Sequence, residues 1–248
     1  YNMQNNTEND ILQLPEKIEI EKGIQIVICI DEFQQISDFE DSKTFQKKLR
    51  SVWQLQQHVS YCLFGSKKHL MNELFEKKNL PFYKFGDAIY LAKIETKYWI
   101  EYICKRFENT GKHISPELAE EICRLVDNHS SYVQQLSWLL WIRTINTATT
   151  EQLSYALEDL LDQNNILFQS ETENLSAYQM NFLKAIVDGI HTKFSSKEVI
   201  SKYNLGTSAN IVRLKNALLQ KELIETNGKE IVLADPVFGV WFKKEMLY

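Results

Sequence analysis

This sequence predicts an α/β parallel sheet, followed by an all-helical segment and a carboxyl-terminal winged helix. Three observations carry that expectation. Two short apolar runs, Ile26-Val27-Ile28-Cys29-Ile30 and Tyr61-Cys62-Leu63-Phe64, flank a stretch with helical spacing. From Glu95 to Leu223 the texture is helical, with no strand pattern. The tail then closes on two alternating runs separated by Asn227-Gly228, a strong short-range hairpin signal.

The elements follow in order. Residues 1–22 are polar and poorly periodic, and read as a loop or helix end leading into the first strand. Ile26 to Ile30 reads as a strand buried on both faces, as in a parallel sheet covered by helices. After the acidic loop Asp38 to Asp41, residues Phe45, Leu49, Val52, Trp53 and Val59 mark one helical face. Tyr61 to Phe64 is a second strand, ending in Gly65-Ser66. A short helix (His69 to Glu76), the loop Leu80-Pro81-Phe82-Tyr83 and a third strand (Ala88 to Ile94) complete the crossover units.

Four amphipathic helices are expected beyond Glu95: Tyr98 to Phe107, Pro116 to Val126, Ser131 to Ile145 and Thr150 to Asn164. Ser115-Pro116 supplies a cap residue and a proline at the first helical position. The aromatic residues of the third helix (Tyr132, Trp138, Trp141) are expected in the core. Gln169 to Asn174 reads as a polar linker. The tail gives helices at Ser176 to Asp188, Ser195 to Tyr203 and Thr207 to Lys221, then a hairpin turning at residues 226–229. Three helices and a β-wing make a winged helix-turn-helix.

Bulk properties narrow the function classes. The 248 residues allow one large domain or two smaller ones. A net charge of −5 does not advertise a polyanionic partner. From Ser176 onward, however, ten Lys/Arg stand against seven Asp/Glu, a balance of +3 that leaves −8 for the rest. No segment has the length of a membrane span and the start does not resemble a signal peptide, so a cytoplasmic protein is expected. The four cysteines (Cys29, Cys62, Cys104, Cys123) lie scattered among apolar neighbours and read as buried free thiols. The five histidines show no metal-ligand spacing.

The chemistry-bearing feature is the end of the first strand, where Ile30 runs into Asp31-Glu32-Phe33. Open α/β sheets bind ligands at the carboxyl ends of their strands. Phosphate chemistry on a magnesium nucleotide needs one carboxylate near the metal and another to polarise a water. The same pattern also describes a buried strand ending in a solvated acidic turn.

The segment resembles the Walker B strand of P-loop ATPases, specifically AAA+ or STAND proteins of the archaeal-type ATPase family. The order of pieces carries the resemblance over essentially the whole chain. Walker B (Ile26 to Phe33) precedes a strand ending Phe64-Gly65-Ser66, similar to the family's sensor strand. Then come Lys68-His69-Leu70-Met71, Pro81-Phe82-Tyr83, Ile89-Tyr90-Leu91, a helical lid, and a winged helix ending Asp235-Pro236 through Trp241-Phe242. The resemblance implies a partial P-loop NTPase core (1–95), a helical lid (96–170) and a winged helix-turn-helix (171–248). It implies ATP and Mg2+ as ligands, with Asp31 in the metal shell, Glu32 orienting the hydrolytic water and Ser66 as the sensor contacting the γ-phosphate or that water. Ser66 also reads as a plain strand-end cap. Lys84 stands where the family often has an arginine; it remains a phosphate point charge without the bidentate fork. His129-Ser130-Ser131 replaces the family's Gly-x-Pro before a lid helix.

One departure is larger. No G-x-x-x-x-G-K-[ST] occurs in the chain, and the first 22 residues contain no glycine. The expectation is an amino-terminal truncation: this stretch alone binds ATP weakly or not at all, and turnover belongs to an intact chain carrying the phosphate loop. A shortened sheet also leaves an apolar edge and face uncovered, which makes an oligomer one expected state.

Two functions follow. The first is an ATP-driven switch in which the nucleotide closes the lid and the winged helix uses that state. The second is a winged-helix module, binding double-stranded DNA or a protein partner on an inactive ATPase scaffold. For DNA, the third winged-helix helix would enter the major groove with Thr207, Ser208, Asn210, Arg213 and Lys215, and Lys229 on the wing would meet phosphate.

Overall fold

The computed structural model describes residues 8–247 and divides into two compact units, one running through Tyr90 and one from Leu91. The first unit is built on two parallel strands, β1 (Ile26–Ile30) and β2 (Val59–Leu63), paired in register from Ile26↔Val59 to Ile30↔Leu63. Helices α1 (Glu8–Lys22), α2 (Ser42–Trp53) and α3 (Lys68–Glu76) accompany them, with a short 3-10 helix at Phe33–Asp38. Parallel strands need a crossover, and α2 supplies it. Its inward residues Leu49 and Trp53 join Phe33, Ile36, Leu74 and Phe82 in one apolar cluster. The Trp53 ring stacks on Tyr61 of β2 at 4.3 Å between centroids.

Several sequence expectations fail in this unit, for identifiable reasons. Of the two readings of the first 22 residues, loop or helix end, residues 8–22 take the helical one as α1; residues 1–7 lie outside the described residues. Glu16 of α1 accepts from the backbone N–H groups of Gln57 and His58 just before β2, so tertiary contact fixes a helix that its weak periodicity conceals. Val59 belongs to β2, beyond the end of the helix in which its spacing placed it. Strand β1 alternates instead of being buried on both faces: Val27 is 64% exposed, and Cys29 faces solvent with it. Cys62 is exposed too, so only Cys123, with Cys104 partly covered, fits the expected buried thiols. The third strand, Ala88 to Ile94, does not form. The segment is irregular and Leu91 is 93% exposed, because a mostly apolar run becomes a strand only beside another strand.

The second unit is helical apart from one hairpin. Helices α4 (Thr96–Glu108), α5 (Pro116–Leu125), α6 (Ser130–Arg143) and α7 (Thr150–Glu173) precede the winged-helix elements α8 (Ala177–Val187), α9 (Lys197–Tyr203) and α10 (Ser208–Gln220). Antiparallel strands β3 (Ile224–Asn227) and β4 (Glu230–Leu233) form the wing, and α11 (Pro236–Leu247) closes the chain. Pairing extends to Asn227↔Glu230, so the turn is the two residues Gly228-Lys229 and not 226–229. Start signals match the sequence: Ser115 caps α5, and Thr149–Gln152 and Ser176–Gln179 form reciprocal capping boxes on α7 and α8.

Residues 169–173, expected as a linker, continue α7. Phe168 is fully buried and Thr172 nearly so, which gives that last turn a face to pack. Trp138 is 56% exposed, against the expectation of a core residue, whereas Tyr132 is buried. Helix α11 was not anticipated as a helix. Asp235 accepts from the N–H groups of Val237 (2.7 Å) and Phe238 (3.0 Å), so the Asp-Pro pair is a helix start. Phe238 and Trp241 of α11 pack on Phe168 of α7, and Trp241 Nε1 donates to Asn165 Oδ1 at 2.8 Å. The Tyr132 hydroxyl of α6 donates to Asp235 Oδ2 at 2.5 Å. Burial and that carboxylate together push the Tyr132 pKa well up. One continuous apolar core therefore runs from Trp99 to Phe242.

Candidate active site

Register places the candidate residues. Because Ile30 pairs with Leu63, the two strands end level, and the chain beyond them stays joined: Phe64 N–H donates to Ile30 O (3.1 Å) and Phe33 N–H to Phe64 O (3.0 Å). Asp31-Glu32 and Gly65-Ser66 thereby lie side by side at the carboxyl ends of parallel strands. Glu32 adopts a left-handed backbone (φ 48°), uncommon for a non-glycine residue. Its N–H donates to Asp31 Oδ1 at 2.8 Å.

The predicted base and the predicted sensor meet. Ser66 Oγ donates to Glu32 Oε2 at 3.1 Å. Gln34 Nε2 donates to the same oxygen. These two bonds, Gln34's first, hold the Glu32 carboxyl below the usual carboxylate range, and the charge of Lys67 adds to the effect. Glu32 is therefore an anion whose Oε2 is occupied by side-chain donors. Asp31 is exposed beside it.

Lys84 is not brought to these residues by any ion pair; its ammonium lies 5.6 Å from the Tyr83 ring centre. Its loop is nevertheless anchored. Arg50 of α2 donates Nη1 to Pro81 O and to Tyr83 O, the latter at 2.9 Å. Lys84 N–H donates to Phe75 O at 3.0 Å in a left-handed backbone of φ 52°. Gln34, Lys67 and Arg50 were missed in the sequence reading. Only the adjacency of Gln34 to the acidic pair and of Lys67 to Ser66 could have drawn attention to them.

Among the described residues, no three His, Cys, Asp or Glu side chains converge as a protein-built metal cage requires. One exposed carboxylate suits Mg2+, which keeps several waters and takes most other ligands from substrate phosphates.

The winged-helix candidates divide. Thr207 and Ser208 are exposed at the start of α10 and Arg213 is exposed one turn on, whereas Lys215 is half-buried. Asn210 is committed elsewhere, donating Nδ2 to Leu205 O at 3.1 Å in the preceding turn. Lys229 is exposed at the wing tip, with Glu225 and Glu230 exposed on the wing strands.

Comparison with known proteins agrees with this architecture. A family model described as "Probable winged helix domain" matches residues 166–244. A Walker-type ATPase of Pyrococcus abyssi superposes with a TM-score of 0.73 at 16% identity, over 97% of this chain and 69% of that one. The ORC2 protein of Aeropyrum pernix gives 0.48 at 13% identity (100% and 73% covered). The RuvB Holliday junction branch migration motor of Thermotoga maritima gives 0.45 at 12% (98% and 76% covered). The last two superpose too loosely to add to the assignment. No curated protein sequence matches the chain. The chain thus has the fold of a P-loop ATPase with a winged helix in its carboxyl-terminal part. Among the described residues, no helix is long and apolar enough to cross a membrane.

Proposed function

We propose that this chain carries the water-orienting side of a Mg2+–ATP site and that the winged-helix unit is its output, an AAA+/STAND-type switch. The observation that supports it most is the meeting of Glu32 and Ser66, from two different strands, at the carboxyl end of a parallel pair. In this reading Asp31 holds the Mg2+ that accompanies the nucleotide, and the metal neutralises charge on the phosphates. Glu32 accepts a hydrogen bond from a water and aims it at the γ-phosphorus, opposite the leaving oxygen. Ser66, whose proton goes to Glu32, accepts from that water through its free lone pairs as the sensor, and Lys84 adds a cation from its anchored loop.

These residues contain no glycine-rich phosphate loop, so turnover is proposed only for a chain that carries one. The test is phosphate release from Mg2+–ATP by the full gene product. The Asp31→Asn, Glu32→Gln double variant is expected to release phosphate only at background. Hydrolysis at full rate by that variant removes the assignment.

A second reading is favoured by the surface of α10. Val212 is 63% exposed beside Arg213, and the wing cation Lys229 sits among carboxylates. Such a mixed face suits a protein partner docked on an inactive scaffold better than a duplex. Arg213, Lys215 and Lys229 are the only cations among the six candidate contacts. Duplex binding, if electrostatic, should therefore show a slope of log affinity against log salt no steeper than about −3. Binding titrations from low to physiological salt measure it. Binding whose slope reaches but does not exceed that limit supports the DNA role, and absent binding supports docking.

A further inference from the structure

Gln34 is the least expected buried group near the strand ends. It is 2% exposed, follows the acidic pair by two residues and lies in the first turn of the 3-10 helix. A carboxylate only accepts, so the amide nitrogen must face Glu32, as the Nε2 to Oε2 bond shows. That orientation sends Oε1 the other way, into a buried position where no hydrogen-bond partner meets it among the described residues. A buried orphan carbonyl is destabilising, and an apolar side chain of similar size would avoid that cost. Its neighbours Phe33 and Ile36 belong to the apolar cluster.

The opposite strand end is shaped around this amide. A Cβ on Gly65 would lie 1.8 Å from Gln34 Oε1 and 3.0 Å from its Cδ. Gly65 has no positive φ, so the backbone does not demand glycine there. The demand comes from the Gln34 side chain alone, with a lesser contact to the flexible end of Met71. The amide is thus wedged between the second strand's end and the carboxylate of the first.

We propose that Gln34 is a positioning residue that, in the space left by Gly65, fixes the Glu32 carboxylate against Ser66 at the strand ends. The inference rests on the nucleotide-site reading for its catalytic meaning, but its geometry stands without it. Ser66 Oγ and Gln34 Nε2 fix Oε2 from two sides, which sets the direction of the whole carboxylate. Gln34 itself touches no reacting atom.

The test uses two readouts. In 1H–15N spectra the Gln34 side-chain amide, identified by its loss in Gln34→Met, should be shifted and slow to exchange. It should move in Glu32→Ala and in Gly65→Ala. A Gln34 amide unaffected by Glu32→Ala overturns the clamp, whether or not ATP is turned over. In the full gene product, Gln34→Met should lower kcat about tenfold to a hundredfold with KM unchanged. Gly65→Ala should do the same and add little in the Gln34→Met background, since both remove one contact. Wild-type kcat in Gln34→Met overturns the positioning role. If the wild type turns over no ATP, the proposed reaction falls, and the amide spectra alone decide the clamp.

Discussion

Trp241→Ala is expected to cost about 3–5 kcal/mol of stability, the range for removing a fully buried large aromatic. The ring is 1% exposed and packs against Phe168 and Phe238, and its N–H satisfies Asn165. Alanine leaves a cavity and strands the Asn165 oxygen as well. Trp241 and Phe168 belong to the same continuous core as Trp99 and Phe107. The loss should therefore appear as one earlier transition for the second unit in urea unfolding, not as a separate release of the wing. Trp138→Ala provides the comparison. That tryptophan is more than half exposed on α6, and its replacement should stay within about 0.5 kcal/mol.

Glu32→Gln should lower kcat for ATP by about a hundredfold to ten-thousandfold, the contribution of a positioned base, with Mg2+–ATP affinity retained. The substitution keeps shape and removes charge. Its amide oxygen can stand where Oε2 stands and still accept from both Gln34 and Ser66, so the loss reports charge and not position. Because hydrogen bonds depress the Glu32 pKa, the anion persists to lower pH than a free glutamate. The sign is therefore fixed: protonation of Glu32 should limit the rate only at a pH lower than that at which a free glutamate titrates. Glu40→Gln, on the neighbouring exposed loop, should leave the rate unchanged. Steady-state phosphate release across pH measures all three.

Much of the outline was legible from local rules. The acid-tipped run Ile26 to Glu32 gave β1 and its turn, and Gly65-Ser66 gave the facing strand end. Ser115-Pro116 and Asn227-Gly228 announced an α5 start and a hairpin through cap and turn chemistry that needs no tertiary context. What failed depended on neighbours. Ala88 to Ile94 has strand composition but no strand beside it. Val27 and Cys29 have core composition but face outward, because the packed helices lie against the other side of the pair. Thr172 looks polar in a linker, yet its hydroxyl bonds back to Phe168 O at 3.1 Å and stays inside a helix. Gln34 escaped because a polar residue after two acids reads as solvated, and only the missing Cβ across the sheet reveals where its amide goes.

The alternation of the strand pair has a practical corollary. Cys29 and Cys62 are register partners, rung against rung on the outward side, and neither is in a disulfide. Whatever settles on that side must shield both sulfurs together. Their joint resistance to an alkylating reagent then becomes an intrinsic footprint, needing no label, for the sheet acquiring its cover.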